Sequence, residues 1–317
     1  MAAERATPRR ATAVATDAAL TASPPKSAGS PWRLFARRFR TNGLAVLCVV
    51  YMLFLIVVAI AGPRLVPAEP NKIDYAAINA LPSANHPFGT DSLGRDTLAR
   101  LVSGLRVSLS VAAYVELLSL VVGVPLGLAA GYFGGKIDFA VTRAADVLFA
   151  FPGLLLAILV AAIFGSAVTE RFGSAGRLAL VAGALSLVSW PLMARLVRSQ
   201  TLSVREREYV TAAKAAGAGG GWIVTRHVIP QLVGLVVTAI TLDVSGVVVN
   251  EAVLSLLGLG IQPPDPSLGK MITDATQYLE LNPLQVLLPS LGLVSIVLAV
   301  SFVGDGLRDA FDPESTS

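Results

Sequence analysis

Long apolar runs alternate with short polar stretches along most of this 317-residue chain. Each run is close to the roughly 20 residues that a helix needs to cross a hydrocarbon layer of about 30 Å. Because backbone polar groups in lipid must be satisfied within the segment, helices are favoured over open strands. The pattern predicts an all-α, polytopic membrane protein with about six transmembrane helices, over residues 44–61, 107–131, 147–164, 178–194, 232–257 and 284–303.

Composition strengthens the membrane prediction. Hydrophobic residues make up 54% of the chain and charged residues 15%, whereas a soluble domain carries about 25% charged residues. The net charge is +4, but the bases flank apolar runs, so no nucleic-acid partner is predicted. The single cysteine, Cys48, lies in the first run and is interpreted as a small apolar filler. The partner that composition itself indicates is the lipid bilayer.

Lysines and arginines are more numerous in the loops on the same side as the amino terminus, among them the stretch 195–226, than in the loops on the opposite side. Loops rich in lysine and arginine remain on the cytoplasmic side, so this distribution predicts a multi-pass protein of the cytoplasmic (cell) membrane with both termini in the cytoplasm. Gly127 and Gly131, four residues apart, form a small-xxx-small pair that predicts a close helix–helix contact in the second span.

The chain divides into four predicted parts. Residues 1–31 are poor in large apolar side chains and are expected to form a disordered tail. Residues 32–106 hold a basic juxtamembrane segment, the first transmembrane helix and an external loop. Residues 107–313 form a core of five transmembrane helices with a polar loop at 204–230, and residues 314–317 are a short tail.

The external loop is expected to end in an interfacial helix, because apolar residues recur at helical spacing from Leu98 onward. Asp91 is the predicted cap at the start of this helix. Asp96 and Arg100, four residues apart, are expected to form an ion pair on its polar face.

The polar loop contains the sequence "REREYVTAAKAAGAGGGWIVTRHVIP" over residues 205–230. Its first part predicts a short amphipathic helix with an alanine face, which the glycines from Gly217 onward end. A second short helix is expected to run to Pro230, which suits the start of the fifth span. The alanine face allows another protein to approach closely. The alternative is a connector that lies on lipid headgroups.

This stretch resembles the EAA loop of ABC-importer permeases, whose pattern is E-A-A, three residues, G, nine residues and then hydrophobic-x-hydrophobic-Pro. The matching positions are Thr211, Ala212, Ala213, Gly217, His227, Ile229 and Pro230. Thr211 replaces the motif glutamate, and Glu208, one turn earlier, is the candidate for the missing negative charge. His227 stands at an apolar position of the motif.

Further motifs extend the resemblance over about residues 35–313. "HPFGTDSLGRD", "TRAADVLFAFP", "EAVLSLLGLG" and "GDGLRDAFDP" are similar to the second membrane subunit of the dipeptide/oligopeptide/nickel permease subgroup. The resemblance implies a type I ABC-importer permease fold and a cytoplasmic coupling helix. It also implies several partners: a second homologous permease, one or two ATP-binding subunits, an extracytoplasmic binding protein and a peptide or related solute. The residues expected to couple to the ATPase are Glu208, Thr211, Ala212, Ala213, Gly217, His227, Ile229 and Pro230.

The chain is not predicted to be an enzyme. It lacks G-x-x-x-x-G-K-[ST], the loop that cradles nucleotide phosphates, so ATP is expected to bind to the partner subunits and no cofactor to this chain. The two histidines, His86 and His227, are too isolated in sequence to predict a metal site. No catalytic residues are predicted.

Four polar residues within the spans are candidates for the translocation pathway: Glu116, Asp243, Asn250 and Glu251. Charge at such depth costs a few kcal/mol unless it meets water or a partner, which favours a functional role. Hydrogen bonding between helices or subunits is an equally weighted alternative.

Two other functions are alternatives to the permease. An ion-gradient-driven secondary transporter would show repeated halves and coupling acids, but no clear internal repeat is present and the polar loop would be unexplained. A scaffold that only anchors an ATPase would bind its partner without transporting a solute.

Overall fold

The computed structural model describes residues 31–311, and within that range the chain forms ten α-helices. The predicted tails, 1–31 and 314–317, lie outside the described residues, except that residue 31 begins the first helix. The helices are α1 (Pro31–Thr41), α2 (Gly43–Leu65), α3 (Thr97–Phe133), α4 (Gly135–Phe149), α5 (Gly153–Arg205), α6 (Glu208–Ala215), α7 (Gly220–Ile223), α8 (Ile229–Leu256), α9 (Leu268–Ala275) and α10 (Leu284–Phe311).

Five stretches of the described chain are long and apolar enough to cross a membrane: α2, α3, α5, α10, and α8 together with α7. Helix α5 has 53 residues, which at 1.5 Å per residue would make about 80 Å, more than twice the hydrocarbon thickness. Gly173 interrupts it with φ 63° and ψ −152°, a backbone conformation that glycine adopts readily. Helix α5 therefore contains two arms, and the prediction of six crossings is confirmed.

Two predicted boundaries were wrong. The second span is not preceded by a separate interfacial helix, because α3 runs without interruption from Thr97 to Phe133. The predicted third span, 147–164, is broken: α4 ends at Phe149 and α5 begins at Gly153. Pro152 explains this break, because the ring of a proline disfavours helical geometry in the preceding residue.

The start of α3 also differs from expectation. Asp96, and not Asp91, is the cap, since its Oδ1 accepts a hydrogen bond of 2.8 Å from the amide of Ala99. The predicted Asp96–Arg100 pair is wrong, because Oδ2 of Asp96 lies 2.9 Å from Nδ1 of His86. Arg100 instead pairs with Asp91, with 3.3 Å between Nε and Oδ2. The sequence could not show these partners, because they depend on how the external loop folds back.

The closest helix pair is α3 against the second arm of α5. A Cβ on Gly127 would lie 2.4 Å from the carbonyl oxygen of Ala194, and one on Gly131 would lie 2.8 Å from that of Arg198. Gly123, one turn before Gly127, approaches α5 in the same way, with 2.8 Å to the carbonyl oxygen of Trp190. The predicted small-residue contact is therefore confirmed and extends over three turns of α3.

Two buried clusters hold the bundle together. The larger one joins α2, α3, α5, α8, α9 and α10 around fully buried valines such as Val111, Val181 and Val248. The smaller cluster lies at the end of the bundle where α5 passes into α6 and α7 into α8. It fastens the polar loop 204–230 to the membrane-spanning helices.

Candidate functional site

Helix α6 is the short helix predicted in the polar loop. It starts at Glu208 and ends at Ala215, and Gly217 follows with φ 82°, the left-handed region that favours glycine. The amide of Gly217 donates to the carbonyl of Lys214 at 3.0 Å, and that of Ala218 to the carbonyl of Ala213 at 3.0 Å. These bonds satisfy carbonyls that the end of the helix leaves free. The predicted break at Gly217 is confirmed.

One side chain of α6 points into the bundle. Val210 is fully buried and packs in the smaller cluster, together with Val204 at the end of α5, Ile223 of α7 and Val228 before α8. The helix is therefore packed against the ends of both adjoining membrane-spanning segments, α5 and α8.

The opposite face of α6 is exposed and bears small side chains. Thr211, Ala212 and Ala215 are exposed, while Ala213 is half-buried. The Thr211 hydroxyl donates back to the carbonyl of Arg207 at 3.4 Å, so the residue in place of the motif glutamate turns toward its own backbone. What remains at the surface is a shallow face on which a partner could pack closely.

Three ring side chains pack together between α6 and the start of α8. The His227 ring lies between the Tyr209 and Trp222 rings, with centroid separations of 5.5 and 5.1 Å. His227 belongs to a π-helical turn, Val224–Val228, that links α7 to α8. Sequence reasoning singled out His227 but missed Trp222, because a π-turn does not follow the helical spacing from which neighbours are predicted. Ile229 begins α8 and Pro230 occupies its first turn, as predicted.

Arginines bind the helices around the loop to one another. The Arg205 guanidinium donates to the carbonyls of Gly131 and Tyr132 at the end of α3, both at 3.2 Å. Arg198 of α5 pairs with Asp138 of α4 through both carboxylate oxygens, one of them at 2.7 Å from Nη2. This hydrogen bond holds the pKa of Asp138 below its usual range. Asp138 therefore remains charged, and the pair intact, under mildly acidic conditions.

Among the polar residues in the spans, Glu251 lies in a closed network. Its side chain is fully buried, and its two carboxylate oxygens accept hydrogen bonds from Ser108 at 2.9 Å and Ser255 at 2.8 Å. Ser255 also lies 3.1 Å from the hydroxyl of Ser267, the N-cap of α9. The network connects α3, α8 and α9, which favours the structural role among the two considered for Glu251.

The Glu251 network leads to a stability prediction. Glu251→Ala is expected to destabilise the protein by about 1–3 kcal/mol, because the serine hydroxyls would lose their acceptor in a dry interior. Glu251→Gln, whose amide oxygen still accepts, is expected to lose clearly less. Thermal unfolding of the detergent-solubilised protein measures both, with Glu280→Ala at an exposed position as the control. Equal melting temperatures for the wild type and Glu251→Ala would contradict the structural role.

The other three candidates lie elsewhere. Glu116 is 6% exposed, and the carboxyl of Asp243 lies against its own, across the contact between α3 and α8. Asp243 and Asn250 line one cavity of about 130 Å³. Asp243 therefore lies next to both Glu116 and Asn250, whereas Glu251 belongs to the separate serine network. In residues 31–311 no three histidine, cysteine or acidic side chains are placed to hold a metal ion.

The fold and the loop together define an all-helical membrane transport subunit. Residues 123–316 match the family described as "binding-protein-dependent transport system inner membrane component", and residues 30–82 match the "N-terminal TM domain of oligopeptide transport permease C". The chain belongs to this family of ABC-importer permeases. It is therefore a permease subunit and not an enzyme, and the ion-gradient carrier is not favoured.

Full-length relatives agree with the family match. The chain is 40% identical over 293 residues to the glutathione transport system permease protein GsiD of Pectobacterium atrosepticum, covering 92% of this chain and 94% of the relative. It is 38% identical over 291 residues to the dipeptide transport system permease protein DppC of Alkalihalophilus pseudofirmus, covering 92% of each.

A solved structure shows the same fold. An inward-facing conformation of the MetNI methionine ABC transporter superposes with a TM-score of 0.52 and 22% identity, over 67% of this chain and 96% of that chain. At this identity the likeness concerns the fold alone.

Proposed function

We propose that this chain forms half of the translocation pathway of an ATP-driven importer for peptides. A second homologous permease forms the other half, one or two separate subunits bind and hydrolyse ATP, and an extracytoplasmic binding protein delivers the solute. The printed functions of the two relatives support the substrate class, because dipeptides and glutathione are both small peptides. The basic loop 195–226 supports an orientation with this loop and both termini in the cytoplasm.

The observation that carries the proposal is the packing of α6 against the ends of two membrane-spanning helices. The exposed alanine face of α6 is fixed through Val210 to the ends of α5 and α8. In this mechanism the ATPase holds α6, and closure of the ATP-bound ATPase pair moves α5 and α8 toward an outward-facing state. ATP can shift this equilibrium only because the ATPase binds the two states of the permease with different affinity.

Each predicted coupling residue has a part in this mechanism. Ala212 and Thr211 form the contact face, with Glu208 at the start of the helix and half-buried Ala213 at its edge. Gly217 ends the helix. The remaining coupling residues lie where the polar loop passes into α8: His227, Ile229 and Pro230.

Purification in mild detergent tests the assignment. The tagged chain is expected to retain an ATP-hydrolysing subunit and a second permease. In proteoliposomes with the binding protein, uptake of alanylalanine or glutathione is expected to require ATP. Uptake driven by an imposed ion gradient in the absence of ATP would contradict the proposal, and so would ATPase binding without any uptake.

A further inference from the structure

The polar pair in the centre of the bundle is the feature that the coupling mechanism does not use. Glu116 lies near the middle of α3, and the Asp243 carboxyl faces it from α8. With 6% of its surface exposed, Glu116 is removed from solvent by the helices around it. Two acids therefore meet at a depth where a single charge already costs several kcal/mol.

Glu116 has no hydrogen-bond donor other than a neighbouring acid within the described residues. Both of its carboxylate oxygens are buried, no serine, amide or basic side chain donates to them, and the hydroxyl of Ser119 one turn further along α3 is also buried without a partner. The one charged group that acts on Glu116 within residues 31–311 is another acid, Asp243. Glu251, buried in the same bundle, differs in having two serine donors. The Glu116–Asp243 pair thus depends on one carboxyl donating to the other, and within residues 31–311 it has no positive charge to stabilise both groups in the ionised form.

A cavity adjoins the pair on the side of Asp243, which lines it, whereas Glu116 lies behind Asp243. The volume of the cavity is about 130 Å³, the space of roughly four water molecules at about 30 Å³ each. Its polar lining consists of Asp243, Asn250 and Ser189, and aliphatic side chains such as Val188 and Val247 form much of the remaining wall. The site therefore offers carboxylate, amide and hydroxyl oxygens inside an otherwise apolar pocket.

These oxygen acceptors favour a ligand that has a positive charge and hydrogen-bond donors. A primary ammonium group has a positive charge and three N–H donors and no acceptor, which complements two carboxylates beside an amide oxygen. The cavity is large enough for an ammonium group and the carbon that bears it, but too small for a whole peptide. Peptides possess such a group at the amino terminus and in lysine side chains.

We propose that Glu116 and Asp243, with Asn250 at the cavity wall, bind the primary ammonium group of a solute during its passage. This inference rests on the proposed function for the identity of the solute, but the site itself can be tested without transport. Asp243 belongs to α8, whose first turn continues from the polar loop, so the site lies on one of the two helices that the ATPase is proposed to move.

The test uses a thiol in the cavity wall. Ser189→Cys in a Cys48→Ser background gives this chain a single cysteine, since Cys48 is its only natural one. The purified complex is treated with three methanethiosulfonates that differ in the attached group: 2-aminoethyl, methyl and 2-(trimethylammonio)ethyl. Mass spectrometry of this chain measures each modification rate, divided by the rate of the same reagent with a free thiol.

The aminoethyl reagent is expected to react about tenfold faster than the methyl reagent, a factor equivalent to about 1.4 kcal/mol. Asp243→Asn and Glu116→Gln are each expected to remove most of this preference, whereas Glu251→Gln, outside the cavity, keeps it. The proposal fails if no preference exists or if it survives both substitutions. An equal preference for the trimethylammonioethyl reagent, which has no N–H donors, would show a site for charge alone and would also overturn it.

Protection experiments identify the source of the ammonium group and separate this inference from the proposed function. Alanylalanine is expected to slow the aminoethyl reaction, and N-acetyl-alanylalanine is not. Protection by N-acetyl-lysinamide would add the lysine side chain as a source. If the reagent preference is present but the wild-type complex takes up no peptide, the ammonium site stands and the proposed function fails. If uptake is normal without the preference, the inference alone fails.

Discussion

Ala212→Asp is expected to reduce ATP-dependent uptake to near background while the protein still folds and inserts. Ala212 is exposed on α6, so an aspartate there disturbs no internal packing. At a close-packed interface with the ATPase, however, the carboxylate would be buried without a partner. An unsatisfied polar group of this kind costs about 1–3 kcal/mol or more, which lowers affinity roughly fivefold to over a hundredfold.

The measurements are retention of the ATPase subunit on a tagged permease and uptake in proteoliposomes. Ala76→Asp makes the same change at an exposed alanine in the external loop and is expected to keep the ATPase subunit bound. Ala212 is preferable to Gly217 as the site of the test. At φ 82° any side chain strains Gly217, so a loss of function there would mix strain with contact. Normal ATPase binding and uptake by Ala212→Asp would contradict the assignment of α6.

Local pattern explains why most of the fold could be predicted. A membrane-spanning helix must form all its backbone hydrogen bonds within the segment. Its length and position can therefore be predicted from one continuous apolar run of sequence. The end of α6 at Gly217 and the position of Pro230 in the first turn of α8 are likewise properties of single residues. The family resemblance then supplied the expectation of a type I importer fold.

The partners of the polar residues could not be predicted in the same way. Asp91, Asp96 and Arg100 lie within ten residues of one another, yet they pair differently from what helical spacing implies, because the preceding loop brings His86 to Asp96. A rule based on spacing within one helix does not include such a contribution from another segment.

The candidate pathway acids illustrate the same limit over a longer distance. Asp243 and Asn250 are seven residues apart in α8, about two helical turns, and they line one cavity. Glu116 and Asp243 are far apart in the sequence, and only the packing of α3 against α8 brings them together. Glu251, adjacent to Asn250 in sequence, points into a serine network and has a different environment.

Gly127→Ala is expected to destabilise the protein although it adds a single methyl group. The new Cβ would lie 2.4 Å from the carbonyl oxygen of Ala194, which belongs to the backbone of α5 and cannot rotate away. The two helices must separate, and overpacking of this kind costs about 1–3 kcal/mol. Because Gly123 and Gly131 also approach backbone carbonyls of α5, both at 2.8 Å, the separation would extend along the helix pair.

Gly183→Ala is the matched control, because a Cβ there has no atom within 4 Å. Alanine favours a helix over glycine by up to about 1 kcal/mol, so this variant is expected to keep or raise the melting temperature in detergent. Gly127→Ala is also expected to weaken coupling, since the helix contact continues to Gly131, whose carbonyl binds Arg205 next to the polar loop. If Gly127→Ala melted at or above the wild-type temperature, the close packing of α3 on α5 would not be what holds the bundle together at this end.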